Sequence, residues 1–462
     1  MAVCGLVALA ACSDPSSNNG AEDVGYDFGN GDEDTSEGAL WETSVVATEN
    51  AGLQPTLAVS PGGTVAIAYF TPNGVEGERC TELGIDSPPK KVFYPLYYAE
   101  WDGSGFSQSA WSVEKIRDIL LVGSPSGVDM VFDGETPRVV TMTGDPIEQY
   151  RYCGANDVGV LSRSGGNWSA EVAVAESGEA ATGDEASDFG SVVGNWPAAA
   201  LSPGGQLGIV YKDVHSGSLQ RDDLARADLE FVEGNTGSWS PQPVDAGRGA
   251  GNYTDLTFDA SGVPWSTYFN PTENNQDERL GVFVTRWSEA DQEWKRVRLF
   301  DKITDNGPSI VVHPEDGYAR VVYYESNDGF PELATQVSDE FASIQNGWEF
   351  DDIGDAQYDE GYQTSLAVSP GGQLAVAYYR CARIERGIGE CAAEEDALVF
   401  AWEDAGDWTH EVVDEGGDGL CGTNPSLSFD AQGRAVIAYE CESLVDGSLI
   451  PEVRFARRQA LP

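Results

Sequence analysis

Amide side chains stand beside aromatic rings at recurring points of this chain. Asn195-Trp196, Asn252-Tyr253 and Tyr362-Gln363 are such pairs, and Gln54, Asn306 and Asn424 occupy matching places. Each precedes a short apolar run of strand-forming residues. Amides pair with hydroxyls or carbonyls and ring faces cover apolar patches, so the set suits a sugar or a peptide backbone. The same amides would also serve simply to cap loops. Other chemistry is thinner. The three histidines are His215, His313 and His410; a Ser-His-Asp or metal arrangement would need His215 with partners that no spacing singles out. Acids are so abundant that no catalytic carboxylate pair stands out. Asp351, Asp352, Asp355, Asp359 and Glu360 could bind calcium, as could Glu394, Glu395 and Asp396; a solvated acidic surface is the alternative. No cofactor is required by these residues, and Ca2+ is the ion they would admit.

The elements that position these residues repeat. The clearest copies are QPTLAVSPGGTVAIAYF from Gln54, WPAAALSPGGQLGIVYK from Trp196 and QTSLAVSPGGQLAVAYY from Gln363. Looser copies start at Tyr253, Gly307 and Asn424, and the weakest at Gly127. Each reads as a strand, a Pro/Gly or Asp/Gly turn and a second strand. A tyrosine recurs in the second strand as Tyr69, Tyr211, Tyr268, Tyr323, Tyr378 and Tyr439, with Met142 in the weak copy. It is expected to pack between repeats with its hydroxyl bonded. A variable loop and a second strand pair follow, as in 96–116, 158–174 and 398–413. Four antiparallel strands per repeat predict an all-β, seven-bladed β-propeller. The last copy stops one strand short, and Leu40–Val46 supplies it, so an N-/C-terminal strand clasp closes the ring.

That order puts the tight turns on one face, where they are too short to build a site. The long connections and the residues before each first strand share the other face, which becomes the candidate contact surface. Six cysteines, Cys80, Cys153, Cys381, Cys391, Cys421 and Cys441, fall on that side. Their even number implies disulfides. Cys381–Cys391 and Cys421–Cys441 are expected as local pairs and Cys80–Cys153 as a link between neighbouring blades. The clustered CxxC spacing of a thiolate metal site is absent, so no metal site is assigned.

Residues 1–12 form an apolar segment ending in Leu9-Ala10-Ala11-Cys12, which resembles the lipobox of bacterial lipoproteins. The resemblance implies lipidation at Cys12 and, with Ser13 following, an address at the outer membrane; it lacks a basic stretch ahead of the apolar one. Residues 13–39, rich in Ser, Asn, Gly and acid, are expected to form a disordered tether. Residues 40–462 form the propeller. Its blades resemble those of sialidase-like and BNR-repeat propellers. The segments 101–106, 162–168 and 403–408 keep the glycine and aromatic of the family's Asp-box but not the full box. A sialidase also uses an arginine triad, and no spacing marks three of Arg79, Arg151, Arg248 and Arg380 as one.

Charge narrows the partners. With 26 Lys+Arg against 77 Asp+Glu the net charge is −51, which excludes the usual nucleic-acid binder and leaves membrane contact to the lipid anchor alone. The expectation is a monomeric, lipid-anchored binding or scaffolding propeller for a glycan, peptide or envelope protein. The alternative is a sialidase-like glycoside hydrolase or lyase at the same mouth. The acid excess also resembles that of proteins from salt-rich habitats, where salt screens carboxylate repulsion. Dialysis into low salt is therefore expected to lower the melting temperature, which calorimetry at graded NaCl checks.

Overall fold

Runs such as Val65–Phe70 and Leu207–Val214 are buried at every position, as strands covered on both faces must be. Outer strands such as Asn167–Val174 and Asp407–Glu415 instead mix exposed and half-buried positions. The described residues of the computed structural model are 40–48, 52–79, 90–121, 126–145, 155–174, 192–214, 227–246, 249–271, 279–304, 307–354, 358–381, 396–415, 420–445 and 448–459. They belong to one compact unit, Leu40–Pro462.

The first strand, β1 (Trp41–Ala47), belongs to the last blade. Blade one contains β2 (Leu53–Val59), β3 (Val65–Phe70), β5 (Lys90–Trp101) and β6 (Trp111–Leu120), with β4 (Val75–Arg79) as an added strand on β5. Blade two is β7 (Val128–Asp133) to β10 (Asn167–Val174), blade three β11 (Val192–Leu201) to β14 (Ser238–Asp245), and blade four β15 (Asn252–Phe258) to β18 (Glu293–Phe300). Blade five is β19 (Ser309–Val312) to β22 (Trp348–Asp352) and blade six β23 (Asp359–Val368) to β26 (Asp407–Glu415). Blade seven is β27 (Leu420–Phe429), β28 (Ala435–Val445) and β29 (Ser448–Arg458), completed by β1. These are the seven four-stranded antiparallel blades and the clasp expected from the sequence.

Packing explains the closure. Each pair of neighbouring blades encloses its own apolar cluster, and one of these joins Val46, Val436 and Phe455 to Ile67, Tyr69 and Trp111 across the seam. The repeated tyrosines are fully buried in these interfaces. Four hydroxyls donate to acids: Tyr268 to Asp245, Tyr323 to Glu332, Tyr378 to Glu360 (3.2 Å) and Tyr439 to Asp414 (2.7 Å). Cys421 and Cys441 face each other across β27 and β28 and are bonded. Cys381 is also in a disulfide. Cys12, Cys80, Cys153 and Cys391 lie outside the described residues, as does the segment 13–39.

The turn face departs from expectation. A groove of about 930 Å³ opens there between blades five and six, walled by Leu333, Phe350 and Trp408 and rimmed by acids including Glu349 and Asp351. It lies beside β22, the five-residue outer strand of blade five.

The clasp yields a direct test. Trp41 is buried, sits edge-on to Phe400 at 5.1 Å, and donates from Nε1 to Glu411 at 2.9 Å. Trp41→Ala is expected to cost about 3–5 kcal/mol, measured by urea unfolding.

Candidate functional site at the channel mouth

Every blade enters the ring on the same three-residue step. Gln54-Pro55-Thr56, Gly127-Val128-Asp129, Trp196-Pro197-Ala198, Tyr253-Thr254-Asp255, Gly307-Pro308-Ser309, Gln363-Thr364-Ser365 and Asn424-Pro425-Ser426 line a central channel of about 240 Å³. The leading residue of each step has positive φ: Gln54 at 52°, Trp196 at 43°, Tyr253 at 49°, Gln363 at 56° and Asn424 at 47°, with Gly127 and Gly307 in the other two. A side chain in that region costs about 1–3 kcal/mol and persists only where its surroundings over-determine it. In five blades the strand pairing also shifts register at this point, for instance between Leu53 and Thr56 and between Thr423 and Ser426. Each is a bulge that re-aims one side chain toward the channel.

The third residue of the step ties each blade to the next. Asp129 accepts from Thr56 Oγ1 at 2.9 Å and from the Ala199 amide at 2.7 Å. Asp255 accepts from Ser309 Oγ and the Ile310 amide, both at 2.8 Å. Ser309, Ser365 and Ser426 accept from the amides of Leu366, Leu427 and Leu57 at 3.1, 3.0 and 2.9 Å. Ala198 has no such group, and Thr254 Oγ1 donates to the Trp196 carbonyl instead. The bonds run round the whole ring.

Aromatic side chains group in two sectors of the ring. Trp196 and Tyr253, in the channel lining, lie 5.3 Å apart, tilted. Between blades five and six, Tyr362 stacks on Tyr324 at 4.4 Å and lies 6.2 Å from Tyr379. The Tyr324 and Tyr362 hydroxyls donate to Asp359 Oδ1 at 2.9 and 3.0 Å, and Tyr379 donates to Asp396 at 2.5 Å. Gln54 lines the channel, and its Oε1 has no hydrogen-bond partner among the described residues. The equivalent Gln363 Oε1 accepts from the Asn424 amide at 2.5 Å.

Of the residues singled out in the sequence, Gln54, Trp196, Tyr253, Gln363 and Asn424 come together in the channel wall. Tyr362 stands behind Gln363. Asn195 and Asn252, expected at the rim, are instead buried within their blades and do not line the channel: Asn195 Oδ1 accepts from Ser126 at 2.6 Å, and Asn252 accepts from Lys212. Asn306 lies outside the described residues, as do His215, Arg151, Arg248, Asp355, Glu394 and Glu395, and nothing is described of the Arg79 side chain. Asp351 and Asp352 lie on β22. The one group of metal-ligand type among the described residues is Asp414 with Cys421 and Cys441, and the disulfide removes its thiolates.

Sequence reasoning missed the acids and serines of the ring. A signal for them exists. Gly52, Gly194, Gly251, Gly361 and Gly422, all at positive φ, each precede the left-handed residue by two. Then comes Pro or Thr, and next Ser, Thr, Asp or Ala. A Cβ on Gly422 would lie 2.5 Å from the Leu398 amide nitrogen, and one on Gly361 2.5 Å from that of Pro331. The glycine lets each blade rest on the third strand of its predecessor.

Burial shifts the charges here. It raises Asp129 to about 6, against the hydrogen bonds from Ala199 and Met130, and raises Asp255 as well. Glu440, which accepts from the Gln54 amide, rises to about 7. Lys212, 5.3 Å above the Trp196 ring, falls to about 7, again by burial.

No protein-family model matches the sequence, and no curated protein does. Comparison with solved structures finds low-identity similarities. A protein of unknown function from Dyadobacter fermentans is 11% identical with a TM-score of 0.45, over 90% of this chain and 98% of that one. A Hadza microbial sialidase is 11% identical with a TM-score of 0.43, over 88% and 66%. An α-L-arabinofuranosidase from Fusarium graminearum is 15% identical with a TM-score of 0.40, over 72% and 90%.

Lys212 gives a pH test. Its folded pKa lies below the ordinary lysine value, so from pH 7 to 9 the unfolded chain binds more protons and stability from this group rises with pH. Lys212→Met is expected to flatten that rise, read as melting temperature across the range.

Proposed function

We propose that this propeller binds a saccharide at the channel mouth. The observation that carries the reading is the Trp196/Tyr253 ring pair in the channel lining, with the amide side chains Gln363 and Asn424 in the same wall. Ring faces cover the apolar face of a sugar, and polar groups set beside them fix its hydroxyls. The rigid ring holds these side chains in place before the ligand arrives, so little ordering cost falls on binding.

The domain is read as a binding or scaffolding module of an exported lipoprotein, with Cys12 bearing the lipid and 13–39 as the tether. Incorporation of labelled palmitate, abolished by Cys12→Ser, is the outcome this address requires. A glycoside hydrolase at the same mouth is the second reading. Asp359 and Asp396 favour it, as carboxylates bonded to Tyr362 and Tyr379 in blade six; hydrolysis needs two such groups with different proton affinities.

A thermal-shift screen of oligosaccharides tests the reading, because a ligand of the folded state raises the melting temperature with concentration. Trp196→Ala and Tyr253→Ala are each expected to weaken the best ligand roughly tenfold, about 1.4 kcal/mol. Product formation from that ligand, lost in Asp396→Asn, would move the assignment from binding to hydrolysis.

A further inference from the structure

An arginine, an acid and a tryptophan close the junction between blades one and two, and again that between blades six and seven. Arg163, on β9 of blade two, pairs with Glu114 on β6 of blade one at 2.9 Å. Its cross-strand partner Trp168 donates from Nε1 to the same carboxylate at 3.0 Å. Arg458, on β29 of blade seven, forks onto Glu411 on β26 of blade six at 2.8 and 2.9 Å. Its cross-strand partner Trp41 donates to Glu411 at 2.9 Å. In both, the guanidinium also sits over a ring of the preceding blade, Tyr98 at 5.4 Å or Trp402 at 4.5 Å.

The turn-face groove between blades five and six is the same place with the arginine replaced by an acid. Its tryptophan is Trp408, and the cross-strand partner of Trp408 is Glu403. Its acceptor is Asp351, which follows Trp348 on the outer strand as Glu114 follows Trp111 and Glu411 follows Trp408. Asp351 lies opposite Leu333, a member of the apolar cluster between blades five and six, so it shares the face turned to blade six. Glu349, two residues away on the same strand, is on that face as well. Among the described residues, the side chains of Glu315, Glu349, Asp351, Glu403 and Asp404 in the groove lining make no ion pair or hydrogen bond. The lining's arginine, Arg320, is held by Asp316 at 2.5 Å, and His313 by the Gly372 carbonyl at 2.8 Å.

We propose that this groove docks an arginine of a partner protein, carried on a peptide segment with an apolar neighbour. The guanidinium takes the place that Arg163 and Arg458 fill at the other two junctions, between Asp351, Glu403 and the Trp408 ring. A planar fork matches paired carboxylates and stacks on an aromatic face, which an ammonium does less well. At about 930 Å³ the groove is far larger than one guanidinium, at the upper end of small-molecule pockets. Phe350, 40% exposed on its wall, offers apolar surface to the adjoining side chain of the segment. The site is on the face opposite the channel mouth and does not depend on the saccharide reading.

A random heptapeptide library displayed on phage is panned on the full chain in 0.15 M NaCl, with counterselection on Glu403→Arg. Sequences sharing an arginine beside an apolar residue are expected to be enriched. In calorimetric titration of the leading peptide, citrulline in place of that arginine keeps the shape, removes the charge and should weaken binding at least tenfold. Asp351→Asn should weaken it by a similar factor. Glu403→Arg should abolish binding and raise the melting temperature, because it rebuilds the closure of the other two junctions. Glu415→Arg, the same charge change at the far end of β26, should leave binding intact. Enrichment of no arginine-bearing family, or equal affinity of the citrulline peptide, overturns the inference. So does an equal loss of binding in Glu415→Arg, since the chain's overall charge would then be the cause. Free arginine binding as tightly as the peptide overturns the peptide partner, and a melting temperature that does not rise in Glu403→Arg overturns the equivalence of the three junctions.

Discussion

The interblade hydrogen bonds around the channel are the constraint on which the rest depends. A propeller blade cannot bury both its faces alone, and its neighbours must be held in register for the apolar clusters between them to close. Here the register is set at the narrowest point, where Asp129, Asp255, Ser309, Ser365 and Ser426 each take a backbone amide from the neighbouring blade. These bonds are made in the channel wall, where an unmet amide would carry its full desolvation cost. They also hold five side-chain-bearing residues in the left-handed region. The conformation that presents Trp196 and Tyr253 at the mouth is thus maintained by the same bonds that close the ring.

Electrostatics follow from that geometry. In a chain this acidic, the interior acids are not incidental. Asp245, Glu332, Glu360 and Asp414 each take the hydroxyl of a repeated tyrosine, so a buried ring hydroxyl is satisfied by a buried or half-buried carboxylate. Burial pushes Asp129 and Glu440 toward neutrality, and Lys212 likewise. Two of these acids also pair with arginine, Asp245 with Arg296 and Asp414 with Arg454.

The architecture was legible in the sequence because it is written in periodic, local signals. Strand-turn-strand copies such as those from Gln54, Trp196 and Gln363 recur, and the last copy has three strands up to Arg458, with Trp41–Ala47 pairing as the fourth. The Cys421–Cys441 pair was legible for the same reason, being cross-strand neighbours within one blade. The site was legible only in outline. Asn195 and Trp196 are adjacent in sequence, yet a positive φ at Trp196 places that residue in the channel wall while Asn195 is buried in the blade. The Tyr324–Tyr362–Asp359 cluster unites blades five and six, and no local pattern announces it. The groove beside β22 depends on how short one outer strand is, which turn chemistry alone does not reveal.

Native-state hydrogen exchange at the amides of Leu57, Ala199, Ile310, Leu366 and Leu427 tests the central claim most directly. If the ring is one cooperative unit, all five exchange only through global unfolding, with a common free energy that equals the value from denaturant titration. Exchange of any of them through a cheaper local opening, at a different free energy from the others, would contradict the account: the blades would then be held by their apolar clusters alone, and the mouth would not be fixed by the ring.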